Sequence, residues 1–127
     1  MGLGFTESKP IMDMDRIAQI ESSGNPNAFN ERSGCIGLFQ INPKTALLDY
    51  NNYEGMNYTA QDLYNPQVNY LIANWYLNHR IPKMLRHYRK PDTVENRLIG
   101  FNCGITCVVD NRMPNETKDY IRKYYAR

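Results

Sequence analysis

Two of the three Asn-Pro dipeptides, Asn42-Pro43 and Asn65-Pro66, constrain this chain more than any other feature, because each reads as a helix cap followed by a first-turn proline. The second precedes "QVNYLIANWYLNHR", where Val68, Leu71, Ile72, Trp75 and His79 trace a stripe of helical period, expected to be a buried core face. An earlier helix is expected in "DMDRIAQIES", with Met14, Ile17, Ile20 and Glu21 near one face and a stop at Gly24. "PDTVENRLIGFNCG" predicts another, with Asp92 and Glu95 as a capping-box variant and Asn102-Cys103-Gly104 as its end. "MPNETKDYIRKYYAR" predicts a last helix opened by Pro114 or Asn115. Only "IGLFQI", after the turn-rich "NPNAFNERSGCIG", reads as a small strand or an extended segment. The fold class is therefore all-α, or α with a very small β element. At 127 residues the chain fits one domain, 1–127, with 1–12 expected to be a poorly ordered N-terminal extension.

Formal charge is +2, unevenly spread: residues 1–78 carry four Lys/Arg against eight Asp/Glu, and residues 79–127 carry eleven against five. The basic rear reads first as a solvated helical face, with the attraction of an anionic polymer, whether a glycan bearing acidic peptides or a nucleic acid, as the alternative. Cys35, Cys103 and Cys107 match no zinc spacing, so one disulfide with a free thiol and three buried thiols both remain open. His79 and His87 lie on a basic helical stretch and read as surface residues rather than ligands. No apolar run approaches the roughly 20 residues that cross a bilayer. The start, "MGLGFTESKP", has neither the basic nor the apolar region of a signal peptide.

Chemistry is concentrated in "QIESSGNPNAFNERSGCIGLFQINP", which holds two acids, Glu21 and Glu31. Glu21 shares a helical face with apolar residues, and burial disfavours a carboxylate, so it is the candidate proton donor. Glycoside cleavage needs such a donor, usually with a second carboxylate as nucleophile or base. Glu31, in "NERSG", reads as a solvated loop charge.

"IESSGNPNAFNERSGCIGLFQINPKT" resembles the glutamate-bearing motif of the soluble lytic transglycosylases, with its Glu-Ser, Asn-Pro and Gly-Leu-x-Gln elements. "DLYNPQVN" is similar to the segment before that family's central helix, "FNCG" to its Tyr-Asn-Ala-Gly motif, and "PNETKDYI" to its Pro-x-Glu-Thr-x-x-Tyr-Val segment. The resemblance implies a lysozyme-like single helical domain, related to goose-type lysozyme, acting on peptidoglycan. The expected reaction cuts the β-1,4 bond between N-acetylmuramic acid and N-acetylglucosamine and leaves a 1,6-anhydromuramoyl end, with Glu21 as acid and then base. A hydrolytic muramidase and a non-catalytic peptidoglycan-binding module are the alternatives. The resemblance further implies no cofactor, no metal, no nucleic-acid partner and no membrane span. It places the protein, as a monomer, in a cell envelope, periplasm or extracellular space, or in a phage virion, with a larger envelope, secretion or phage assembly as its setting.

Carried over residue by residue, Ser22 would orient the sugar, Gln40 would hydrogen-bond it, and Asn42 stands where the family often has a substrate-lining Met. Ser22 and Asn42 also read locally, as a helix end and a helix cap. Phe101 and Asn102 complete the substrate-binding set with Glu116, which equally suits the dipole of the last helix. Phe101 departs from the family's tyrosine, removing a hydroxyl expected near Glu21. The cysteines also depart from it, and a bond from Cys35 to Cys103 or Cys107 would pin the active-site loop to a helix end.

Overall fold

The computed structural model describes residues 9–126, so residues 1–8 of the expected extension lie outside it; Met12, at that extension's end, is buried. Helix α1 (Met14–Ser22) is capped by Asp13, whose side chain accepts from the Arg16 amide. It ends at Ser23 and Gly24, both in the left-handed region. The Asp13 amide donates to the Tyr124 hydroxyl, and Arg16 donates to the Lys123 and Ala126 carbonyls, tying the start of the chain to its last helix.

Helix α2 (Ala46–Glu54) starts later than Asn42-Pro43 predicts. The Asn42 carboxamide oxygen accepts from the Lys44 amide, closing a local turn, and Thr45 takes the cap position. A 3₁₀ turn over Ala60–Tyr64 leads into α3 (Pro66–Trp75), where Asn65 caps through bonds from Gln67 and Val68 as its sequence predicts.

The expected stripe on this helix is corrected in register. Ile72 is fully buried and Val68 and Trp75 pack at the core edge, but Leu71 and His79 are exposed, while Asn69, Ala73, Leu77 and Ile81 are buried. Two causes turn the buried face: Asn69 is drawn inward by polar contacts, and the helix widens into a π turn over Tyr76–Arg80 before continuing as α4 (Ile81–His87). Pro82 explains the widening. It has no amide hydrogen and its ring would crowd a preceding carbonyl, so the hydrogen-bond ladder shifts register, with the Ile81 amide reaching back to Tyr76.

Helix α5 (Val94–Asn102) is capped by Thr93, which accepts from the Asn96 amide; the expected Asp92–Glu95 box does not form. Asp92 is taken by Arg97, which grips it through two bonds of 2.7 and 2.8 Å and donates a third to Asn78. Arg97 is 2% exposed, and a buried guanidinium is tolerated only when its donors are satisfied in this way. Short α6 (Ile105–Val109) and α7 (Asn115–Tyr125, after Pro114) complete the fold, with α5 packed against α4, α6 and α7. The core gathers Ile17, Phe39, Ile72, Leu77, Leu85 and Leu98 between these layers. The "IGLFQI" segment makes only isolated bridges, Ile36 with Phe29 and with Ile41, so the β element is minimal and the fold is all-α.

Candidate active site

A cleft opens between the loop after α1 and the ends of α5 and α7. The loop is held from within by Asn69, which is fully buried. Its carboxamide accepts from the Phe39 amide and donates to the Ile36 and Leu63 carbonyls, all within 2.9 Å. Gly37 sits against this clamp at φ +81°, where a Cβ would come 2.4 Å from the Asn69 nitrogen. Only glycine fits there. Gln40, itself at φ +52°, donates to the Gly37 carbonyl at 3.0 Å and the Ala28 carbonyl at 3.4 Å, closing the turn.

Glu21, in the last turn of α1, lines a cavity of about 430 Å³ with Gln40, Cys35, Phe101, Asn102 and Glu116. Arg32 also reaches it. An adjoining cavity of about 350 Å³ shares Gln40, Cys35, Phe101 and Asn102 and extends past Asn42 to Tyr76 and Ala46. Tyr120, buried on α7, donates its hydroxyl to a Glu21 carboxylate oxygen at 2.8 Å. Burial pushes the Glu21 pKa up from 4.5 to about 7; the Tyr120 hydrogen bond opposes this and the Glu116 charge adds to it. Tyr120 is in turn held well above the ordinary tyrosine range, first by its own burial and then by the Glu21 charge.

The structure thus gathers Glu21, Gln40, Asn42, Phe101, Asn102 and Glu116 along one cleft. Ser22 lines neither cavity; its hydroxyl donates to the Leu38 carbonyl at 2.7 Å and joins α1 to the loop. Asn102 accepts from the buried Thr117 hydroxyl at 2.8 Å, which fixes the carboxamide at the cleft wall. Phe101 packs near Tyr76, ring centroids 6.3 Å apart. The hydroxyl at Glu21 comes from α7, not from position 101. Sequence reasoning missed Tyr120, Thr117 and Asn69 as site residues. The signal for the first was available, since Tyr120 follows Glu116 at helical spacing on one face.

The disulfide joins Cys103 to Cys107, and Cys35 keeps a free thiol, so the expected pin between the loop and the helix end is absent. Among the described residues no cluster of His, Cys, Asp and Glu is arranged to hold a metal ion, and no helix is long and apolar enough to cross a membrane.

No curated protein and no solved structure matches the chain. A family description does: Transglycosylase SLT domain, over residues 12–123. That span begins at buried Met12 and takes in Glu21, the Asn69 clamp, the α5 end and Tyr120, so it covers every wall of the cleft, and the chain belongs to the transglycosylase SLT family.

Proposed function

We propose that this protein is a peptidoglycan lytic transglycosylase in which Glu21 works alone as acid and then base. The observation that carries the reading is the Glu21 carboxyl itself, set in the wall of a 430 Å³ cleft, tethered by Tyr120, with a pKa raised to about 7. Such a group is available in both protonation states near neutral pH, as a residue serving two opposite proton transfers requires.

Protonated Glu21 gives its proton to the glycosidic oxygen as the bond from muramic acid C1 breaks, and N-acetylglucosamine leaves as an alcohol. The substrate's N-acetyl carbonyl stabilises the positive C1, the arrangement of substrate-assisted glycosidases. The C6 hydroxyl of the same muramic acid then attacks C1 and its proton passes to ionised Glu21. The ring closes as a 1,6-anhydro sugar and Glu21 is protonated again, so no water is consumed. Tyr120 steadies the ionised form between the two steps, since a hydroxyl donating to a carboxylate stabilises charge. Asn102 and Gln40 are the polar groups offered to the sugar, with Phe101 and Asn42 along the wall; the envelope or a phage particle follows as the setting.

A hydrolytic reading is favoured by one observation: Glu116 lines the same cavity as Glu21 and supplies the second carboxylate that a water-activating base needs. Mass spectrometry of digested peptidoglycan separates the two. Anhydro ends, 18 Da lighter than reducing ends by the loss of one water (roughly, from the stoichiometry above), support the transglycosylase; reducing ends together with loss of activity in Glu116→Gln support the hydrolase.

A further inference from the structure

A third cavity, about 410 Å³, lies outside the Glu21 cleft, between α2 and the rod formed by α3, the π turn and α4. Its walls are aromatic at Tyr53 and Trp75 and cationic at Arg80, Lys83 and Arg86, with His79 at the rim. Glu54 is the acid among its lining residues. Arg80 is held in place: its guanidinium lies 4.6 Å from the Tyr53 ring centroid, and its Nε is 3.5 Å from the Asp49 carboxylate. Lys83 and Arg86 are exposed, one helical step apart on α4, so their charges face the same solvent-filled groove.

The groove and the cleft share helix α2 and the α3 rod: Ala46 and Tyr76 line the cleft, Tyr53 and Trp75 line the groove, and the Trp75 and Tyr76 rings stand 6.1 Å apart. A branched polymer seated in the cleft at Tyr76 has the groove on the neighbouring face of the same rod. With Arg80 engaged by Asp49 and Tyr53, exposed Lys83 and Arg86 are the cations that favour an anionic ligand, and the planar guanidinium of Arg86 matches a carboxylate with two parallel bonds. Glu54 narrows the choice. A uniformly anionic chain of phosphodiesters would be repelled there, whereas a peptide carrying both carboxylates and N–H donors would satisfy both signs of charge.

We propose that the groove binds the carboxylate-bearing peptide stems of the glycan strand whose sugars occupy the Glu21 cleft. This rests on the peptidoglycan reading above, and extends it from the sugars to the stems.

The test compares the wild type with the Lys83→Glu/Arg86→Glu variant on two substrates: glycan strands with intact stems, and the same strands stripped of stems by an amidase. On intact strands the variant should show KM raised about tenfold with kcat unchanged, the size expected when two exposed charges are reversed. On stripped strands it should equal the wild type, and the difference on intact strands should shrink at high salt. Equal kinetics on both substrates, or an equal loss on stripped strands, overturns the proposal. A second arm needs no turnover. The Glu21→Gln protein should bind a soluble stem peptide with free carboxylates and should lose that binding when Lys83 and Arg86 are also reversed. Equal binding of the amidated peptide, or tighter binding of polyphosphate, overturns the proposal. If the wild type releases no cleaved product from either substrate, the enzymatic reading fails, while the peptide arm still decides the groove. Should the double reversal fail to fold, the single changes Lys83→Gln and Arg86→Gln, each with a smaller rise in KM on intact strands only, carry the same decision.

Discussion

Glu21 and Glu31 belong to one short segment, yet the fold makes different chemical groups of them. Glu21 closes a helix that buries Ile17 and Ala18 in the core, lies against Tyr120, and has its pKa raised to about 7 by burial. Glu31 sits in a turn, exposed, and lines neither cavity of the cleft. A carboxyl becomes a proton donor at neutral pH through what surrounds it, and a helix packed on a core supplies surroundings that a solvated turn cannot.

The largest effect should come from removing each acid in turn. Glu21→Gln is expected to lower turnover of peptidoglycan by on the order of 10²–10⁴-fold, the usual worth of general acid–base catalysis, and Glu31→Gln to leave it within about twofold. Comparable losses in both variants would end the distinction. The loop has its own weak point at Gly37, where alanine would meet the Asn69 nitrogen at 2.4 Å and the Leu63 carbonyl at 2.5 Å in a left-handed backbone. Gly37→Ala should cost about 2–4 kcal/mol in a urea melt, from strain and overpacking together. A normal melt would mean that the Asn69 clamp gives way easily.

The contrast between the two regions also explains what could be read beforehand. Helix α1, the Asn65-Pro66 cap and the Pro114 opening announce themselves in local sequence, because caps and periodicity act over a few residues. Asn42-Pro43 carries the same local signal, but its side chain closes a turn and the helix starts at Ala46. The register of α3 departs from its apolar period because Asn69 is polar in type and buried in fact, two of its three bonds reaching Ile36 and Phe39, 33 and 30 residues away. Tyr120 meets Glu21 across 99 residues of chain. The place of Tyr120 on the Glu116 face of α7 is a local pattern, but its pairing with Glu21 is set by how the helices pack. Glu21 itself was legible, since one acid on an apolar helical face is a local pattern with a chemical consequence.

Tyr120→Phe sharpens the comparison by loosening Glu21 without exposing it. A hydrogen bond to a charged group contributes roughly 1.5–3 kcal/mol, so kcat/KM should fall by about tenfold or more. The sign of the accompanying pH effect is fixed: the bond favours the ionised form, so its loss raises the Glu21 pKa further and moves the alkaline limb of the rate profile upward. An unmoved limb would show that this limb does not report Glu21.

Stability should carry the same signature with a smaller amplitude. The Glu21 pKa is about 7 in the folded chain against 4.5 for the free group, so between these values the fold retains a proton that the unfolded chain releases. Its contribution to stability is therefore most favourable below pH 4.5 and is progressively lost as the pH rises to about 7, by on the order of 1–3 kcal/mol. Glu21→Gln still accepts from Tyr120 but never ionises. The variant should gain on the wild type through that window and run parallel to it on either side; a constant difference would place the Glu21 pKa near its ordinary value. Glu31→Gln should show no such window.

The smallest effect is expected at Phe101. Viewed from the family motif, this position lacks a hydroxyl, and restoring it in Phe101→Tyr would be expected to help Glu21. The geometry argues otherwise. Tyr120 already donates to Glu21 from a buried position at 2.8 Å, and the Phe101 ring lies instead toward Tyr76 along the cleft wall. A hydroxyl added there meets the open cleft and exchanges bonds with water for little net gain. Phe101→Tyr should then change kcat/KM by less than about threefold and leave the alkaline limb in place, since a net change under roughly 0.6 kcal/mol is at most that factor. The decisive form of the experiment puts the change into the Tyr120→Phe background. If position 101 cannot reach Glu21, the double variant stays as impaired as Tyr120→Phe alone. Recovery of rate, with the alkaline limb moving back down, would mean that a hydroxyl at 101 does the work of the one on α7, and that the Glu21 site can be completed from either wall of the cleft.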